Sequence, residues 1–410
     1  MFITRGFLTL DDVDAADKTV FVRLDINSPI DPETGNILDD TRIRAAVPTL
    51  RDLSSARVVV GSHQSRPGKG DFISLQEHAA ILRRYIGKNV RFIEDVTGPA
   101  AREAIEKLRN GEVLVLDNLR LCSEEVIECS VKQMMKTILA KRLAPLFDLF
   151  VNDAFAAAHR SQASLIMFPE FMPSAVGRTM EKELKALGKV LESPNRPCVF
   201  ALGGVKVDDR IPVIENVLKT GVADRVLLGG LVAEFFMKAS GFNLGAENEK
   251  KLKEFNKFQD KARNILTTFG DALLLPTDVA VHRDGTRKDI HVGKEGINDV
   301  IMDIGVETTA HFASIIEKAG MVVADGPMGV FENQIFASGT REVLEAMADS
   351  EAYTVVGGGH VAGAAELLGL AEKISHVSTG GGAMLVFLSG QELPAVEALK
   401  RSAKRYGGKI

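Results

Sequence analysis

The side chains able to do chemistry fall into two groups, one in each half of the chain. In the first half, Arg42 (DDTRIR), His63 and Arg66 (GSHQSRP), Arg120 (DNLRL) and Arg160 (VNDAFAAAHRS) stand as cations beside the ends of short apolar runs. The planar fork of arginine suits carboxylate and phosphate oxygens, which it grips with paired hydrogen bonds. Brought to one place, these groups bind a small, highly anionic molecule. Asp25 and Asn27 (VRLDINSPI) add an acceptor and a donor for a hydroxyl. Any one of these arginines could equally be half of an ordinary surface ion pair. Their shared position beside run ends is what points to a site. His159 reads as a structural residue.

Glycine marks the second half: Gly203-Gly204, Gly229-Gly230, Gly326, and the triplets 357–359 and 380–382 within the stretch 353–388. Glycine lets the main chain approach a ligand with no Cβ in the way. A helix beginning just after such a turn points unpaired N–H groups and a positive dipole end at the gap. Two triplets close together suggest a cradle for a polyphosphate, with room for a flat base between loops; a single glycine turn would more simply be a tight connection. Lys206, directly after Gly203-Gly204, is a candidate for reaching a terminal phosphate, although solvation is the commoner fate of lysine.

These groups need a framework that delivers them to one edge. Short continuous apolar runs at 20–24, 57–60, 113–116, 149–151, 198–202, 226–228, 272–275 and 321–324 each end in glycine or polar residues, and helical patterns separate them. Runs that are apolar throughout, rather than alternating, predict parallel strands covered on both faces. Ligands of such open sheets bind beyond the carboxyl ends of the strands. Between 171 and 197, Val176, Met180, Leu184, Leu187 and Leu191 share one helical face, with prolines on both sides. This predicts a long helix joining two α/β domains. The charged segment 247–266 predicts a solvated helix.

A chain of 410 residues allows two or three domains. A net charge of -5 with 26% charged residues gives no basic excess to attract nucleic acid. Cys122, Cys129 and Cys198 are scattered and lack CxxC spacing, which suits a reducing compartment and argues against disulfides or a zinc site. The N-terminus carries no long apolar core, and no run approaches the ~18 apolar residues of a membrane span; the expectation is a cytoplasmic protein. There is no GxxxxGK[ST]. His282-Arg283-Asp284 imitates a kinase catalytic triplet, but Asp289 stands where the Asn belongs and no DFG follows. Gly357-x-Gly359-x-x-Ala362 fits a loose dinucleotide pattern, the sole support for an NAD-dependent dehydrogenase.

The segments VRLDINSPI, DDTRIRAAVPTL, GSHQSRPGKG, LDNLRLCSEE, VNDAFAAAHRSQAS, ALGGVKVDDRI, ADGPMGVFE, VVGGGH and HVSTGGGAM, in this order, resemble the phosphoglycerate kinase family over essentially the whole chain. The resemblance implies two Rossmann-like parallel-sheet domains joined by a long helix, with a cleft between them. It divides the chain into an acid-substrate domain at 1–172 with 390–410 folding back onto it, a linking helix at 173–196, and a nucleotide domain at 197–389. It implies reversible phosphoryl transfer from 1,3-bisphosphoglycerate to ADP, giving 3-phosphoglycerate and ATP in glycolysis and gluconeogenesis, with Mg2+. The positions it assigns to the acid are Asp25, Asn27, Arg42, His63, Arg66, Arg120 and Arg160. Those it assigns to the nucleotide are Lys206, Arg210, Gly229, Gly230, Glu332, Gly358, Gly359, His360 and Val361. Arg42, Lys206, Gly359 and Gly381 fall around the transferring group. An attacking carboxylate or phosphate oxygen has no proton to lose at neutral pH, so no general base is needed; positioning and spread positive charge suffice. A monomer or homodimer is expected, with no nucleic-acid or membrane partner.

Three positions depart from the usual family pattern and resemble its archaeal branch. His360 and Val361 replace the Asp-Thr of GGGDT, and imidazole is a poor ligand for a hard cation. Arg210 replaces a lysine, keeping charge but changing geometry. Asp325 replaces the Asn of an NGP turn and is a candidate to supply the missing carboxylate to the metal. These departures also keep open a second class, a non-catalytic binding protein on the same scaffold, although Arg42 and Lys206 remain.

Overall fold

The computed structural model describes residues 6–87 and 89–407; residues 408–410 of the expected fold-back segment lie outside them. The described chain divides into two compact units. One holds the residues up to Lys185 together with those from Glu392 onward, and the other holds Ala186–Gln391.

The first unit is built on a seven-stranded, wholly parallel sheet. From edge to edge its strands are Leu8–Thr9, Ser174–Val176, Leu149–Asn152, Thr19–Arg23, Arg57–Gly61, Val113–Leu116 and Val90–Ile93. The central runs TVFVR and VLVL are buried at every position, as a sheet covered on both faces requires. Register fixes where the site falls. Arg23 lies opposite Gly61 on one side and Asn152 on the other. The segments that follow, beginning Leu24-Asp25, Ser62-His63 and Asp153, therefore leave the sheet at one level.

The second unit carries a six-stranded parallel sheet in the order Leu273–Leu274, Arg225–Leu228, Cys198–Leu202, Met321–Asp325, Tyr353–Gly357 and His376–Val377. Leu202, Leu228, Asp325 and Gly357 are in register across it, so Gly203, Gly229, Gly326 and Gly358 emerge side by side.

Three features differ from the sequence reading, one being that the segment 247–266 forms two helices, Ala246–Lys251 and Gln259–Phe269, with a 3-10 turn Lys253–Phe258 between them. A small antiparallel sheet, Thr286–His291, Asp278–Arg283 and Ile301–Ile304, stands apart from the parallel ones. Its hairpin turns at Asp284-Gly285, both with positive φ (49° and 74°), the two-residue turn such hairpins favour. His282-Arg283-Asp284 is thus the end of a hairpin. The helix expected over 173–196 spans Arg178–Glu192. Ser174–Val176 is a strand of the first sheet, so Val176 owes its burial to strand pairing and not to the helical face. Met180, Leu184, Ala186, Leu187 and Val190 are the apolar residues that helix buries, while Leu191 of the expected face is only partly buried.

The C-terminal helix Pro394–Tyr406 packs on the first unit. Arg401 and Arg405 reach the Glu170 carboxylate at 2.8 and 2.9 Å, and Ser402 Oγ donates to the Met172 carbonyl at 3.0 Å.

Candidate active site

In the first unit the cations gather around Asp25. Arg42 lies in the first turn of the helix Thr41–Asp52, and its Nη1 is 3.3 Å from Asp25 Oδ1. Burial pushes the Asp25 carboxyl up, but the guanidinium groups of Arg42 and Arg23 outweigh it and hold it below its ordinary value. The same carboxylate accepts from the Asn27 amide at 3.3 Å, and Asn27 Oδ1 accepts from the Ser65 amide at 2.9 Å, which fixes that side chain. Arg120 is almost fully buried. It donates to the Ser65 carbonyl and leaves its Nε with no partner. Desolvation first, then Arg160 and Arg23, push its pKa down to about 10. Arg160 is lowered too, by burial and by Arg66 and Arg42, against the pull of Asp25. Arg66 is exposed yet close enough to act on both.

Crowded, partly dehydrated guanidinium groups that depress one another are an electrostatic cost to the free protein. A multiply charged anion relieves that cost. The structure thus brings together the cations the sequence singled out, with one correction. His63 does not act as a cation. Burial lowers its pKa well below 6.5, and Arg23, Arg120 and Arg160 reinforce the effect against Asp25. Arg23 Nη2 lies 3.2 Å from His63 Nδ1. Guanidinium can only donate, so Nδ1 accepts and the ring carries its proton on Nε2.

Arg23 is the residue sequence reasoning passed over. It closes an apolar strand and is wholly buried. Its Nε donates to Ser164 Oγ at 2.7 Å, and Glu125, equally buried, lies 3.8 Å away and accepts from Ser164. This pair orients His63 and adds field beneath Asp25. The available signal was a charged residue terminating a strand directly after three apolar positions, Val20, Phe21 and Val22.

In the second unit the glycine turns sort into two kinds. The amides of Gly203, Gly204, Gly229 and Gly230 donate to the carbonyls of Asp325, Pro327, Leu202 and Met328 at 2.7–3.1 Å. Those four N–H groups are spent joining the loops and cannot hold phosphate, contrary to expectation. Glycine is needed there for close approach: a Cβ on Gly203 would stand 2.2 Å from the Pro327 carbonyl oxygen. The triplets behave differently. Gly358, with φ 78°, starts the helix Gly359–Leu367, and Gly380 starts Gly381–Leu388. The first amides with a partner inside those helices are Ala362 and Met384. The amides ahead of them, from Gly359 to Val361 and from Gly381 to Ala383, are donors with no carbonyl behind them in the helix. A Cβ on Gly381 would come within 2.7 Å of Gly358 Cα, so the two turns touch. Around Gly359 nothing lies within 4 Å of where a Cβ would be.

Lys206 is exposed at the start of the helix Val207–Lys219, close enough for its charge to act on Asp325. His360 and Glu332 are exposed and line a cavity of about 380 Å³ with Gly204 and Gly230. Val361 turns its side chain into the apolar core, so only its amide faces outward.

Asp325 does not fit the metal role. It is fully buried, and Arg210 Nη2 lies 2.6 Å from its Oδ2, outside hydrogen-bond geometry. Burial raises its pKa to about 6 despite Arg210. Magnesium demands open oxygen ligands and keeps several waters, which a sealed carboxylate facing a guanidinium cannot offer. Among the described residues no group of three His, Cys, Asp or Glu side chains could hold a metal.

A family model described as Phosphoglycerate kinase matches residues 10–391. The phosphoglycerate kinase of Methanothermus fervidus is 46% identical over 403 residues, 97% of this chain and 98% of that protein. That of Methanothermobacter thermautotrophicus is 48% identical over 404 residues, 98% of each. The crystal structure of phosphoglycerate kinase from Pyrococcus horikoshii OT3 superposes with a TM-score of 0.89 at 43% identity, covering 97% of this chain and all of that one. The Coxiella burnetii enzyme gives 0.80 at 33% identity, over 96% of this chain and 98% of that one.

Proposed function

The chain belongs to the phosphoglycerate kinase family, and from that premise we propose how its residues divide the work. The family reaction is phosphoryl transfer between 1,3-bisphosphoglycerate and ADP, with a carboxyl group as the acceptor in the reverse direction. In this chain the first unit holds the acid substrate. Arg66, Arg120 and Arg160 grip its phosphate and carboxylate oxygens, Asp25 and Asn27 bind its hydroxyl, and neutral His63 donates from Nε2. The observation that carries this reading is the clustering of arginines about Asp25, with Arg42 Nη1 3.3 Å from its carboxylate and the nearby Arg120 buried with its Nε unpartnered.

The nucleotide binds on the second unit. Its phosphates lie against the first-turn amides of the helices that begin at Gly359 and Gly381. Its base and ribose occupy the cavity lined by Gly204, Gly230 and Glu332. Magnesium enters as the counter-ion of the nucleotide phosphates, a part of the substrate and not a resident of the protein. Arg42 and Lys206 spread positive charge over the moving phosphoryl group, which needs in-line placement and no base. Their charge is fixed before the step and needs no rearrangement during it. Transfer also requires the two bound substrates to meet and water to be kept from the acyl phosphate. We assign that closing movement to a hinge within residues 171–197. No described helix is long and apolar enough to cross a membrane, and the cytoplasm is the proposed location.

The test is a coupled assay for ATP formation from 1,3-bisphosphoglycerate and ADP by the full chain. Turnover supports the reading; binding of both substrates without turnover would make this a non-catalytic relative.

A further inference from the structure

Glu234 has no explanation in the fold. It sits on the helix Gly230–Ala239, whose neighbouring residues Val232, Ala233, Phe235, Phe236 and Met237 are all buried and apolar. Its own side chain is 4% exposed, and its Oε2 is buried with no hydrogen-bond partner. An apolar residue would fill that place without leaving a polar atom unsatisfied. The side chain lines the cavity that also holds Gly204, Gly230, Val279, Ile301 and Met328. His360 and Glu332 line the same cavity, and His360 belongs to the phosphate-facing turn. An apolar slot with one unsatisfied carboxyl in its wall suits a flat heterocycle that brings its own hydrogen-bonding edge.

We propose that Glu234 reads the base of the bound nucleotide, pairing its carboxyl with the hydrogen-bonding edge of a purine. The inference rests on the nucleotide assignment above and names the residue that sets base preference. A protonated carboxyl donates its O–H to adenine N1 while its other oxygen accepts from the N6 amino group. An ionised carboxylate offers only acceptors, which match the N1–H and N2 amino donors of guanine. Burial raises the pKa of Glu234 to about 7, against the attraction of Lys251. Both forms are therefore within reach near neutrality. The charged and titratable groups sharing the cavity are Lys251, Asp303, Glu332 and His360; Asp303 is already paired with Arg287 at 3.1 Å.

The experiment is titration calorimetry of the full chain with magnesium-ADP and magnesium-GDP, at about pH 6 and about pH 8, a window that brackets the carboxyl. Phosphate ionisation is common to both nucleotides and cancels in the affinity ratio. In wild type the ADP-to-GDP ratio is expected to fall by ~10-fold between the two pH values. Glu234→Gln fixes one donor and one acceptor, so it is expected to keep the preference for ADP and lose the pH dependence. Glu234→Ala is expected to weaken ADP by about 3–10-fold. Thermal unfolding checks that both variants are folded. Unchanged ADP affinity in both variants, or a pH-dependent ratio that survives in Glu234→Gln, overturns the proposal while leaving the nucleotide site intact. A wild type that binds neither ADP nor ATP refutes the nucleotide assignment itself.

Discussion

At the strand ends of the first unit the ligand-facing groups are side chains; at those of the second they are places where side chains are missing. The first arrangement stores unfavourable electrostatics: guanidinium groups are dehydrated, depress one another, and are propped from beneath by a buried arginine and glutamate. The second stores little charge. Its loops are stitched by backbone hydrogen bonds so tight that only glycine fits, and the donors left over are amides at two touching helix starts. The difference matches what each would hold. A three-carbon acid with charges at both ends needs specific forks, whereas a polyphosphate is met by backbone dipoles and a base by an apolar slot.

The sharpest way to break this comparison is to remove the charges assigned to the moving group. Arg42→Ala and Lys206→Ala are each expected to lower kcat by about 10²–10³-fold, the usual cost of deleting a preorganised transition-state donor. Steady-state assays decide it, and near-normal turnover removes that residue from the catalytic role. Next is the buried support. Arg23→Met strands Glu125 and is expected to cost about 3–5 kcal/mol of stability, measured by urea unfolding. If the second unit depends on backbone contact, Gly203→Ala should cost about 1–3 kcal/mol, since its Cβ meets a carbonyl oxygen. Gly359→Ala meets nothing and lies in a helix, so its fold should be unharmed or stabilised by up to ~1 kcal/mol.

A separate effect is in pH. His78 is buried, which lowers its pKa from 6.5 to about 4. The unfolded chain therefore takes up a proton that the folded chain refuses. The stability this group allows is fully present above pH 6.5 and is lost as pH falls towards about 4, with a slope on the order of 1 kcal/mol per pH unit. The buried His63, also lowered, acts in the same direction. Chemical denaturation across that range measures it, and His78→Gln should flatten the slope.

Much of this was legible in the sequence. Runs such as VLVL and CVFAL are apolar throughout, which only a doubly covered parallel strand tolerates, so most of the strands and their site-bearing ends were readable. The cations beside those ends followed. Three things escaped for physical reasons. The hairpin at Asp284-Gly285 has the right turn residues, but its outer strand TRKDIH is too polar to register as a strand. Arg23 and Glu234 look like ordinary charged residues until burial and missing partners are known. Nor does a glycine pair announce whether its amides are free: at 203–204 and 229–230 neighbouring loops take them, while at 359 and 381 the helix geometry leaves them outward.

The division of labour between the units is tested most directly by binding each ligand separately to two variants. Calorimetry with 3-phosphoglycerate and with magnesium-ADP is measured on Arg160→Ala and Gly359→Ala. The account predicts that Arg160→Ala weakens the acid by ~10-fold or more and leaves ADP unchanged, while Gly359→Ala does the reverse. Either variant weakening both ligands equally, or the two effects exchanged, would contradict it.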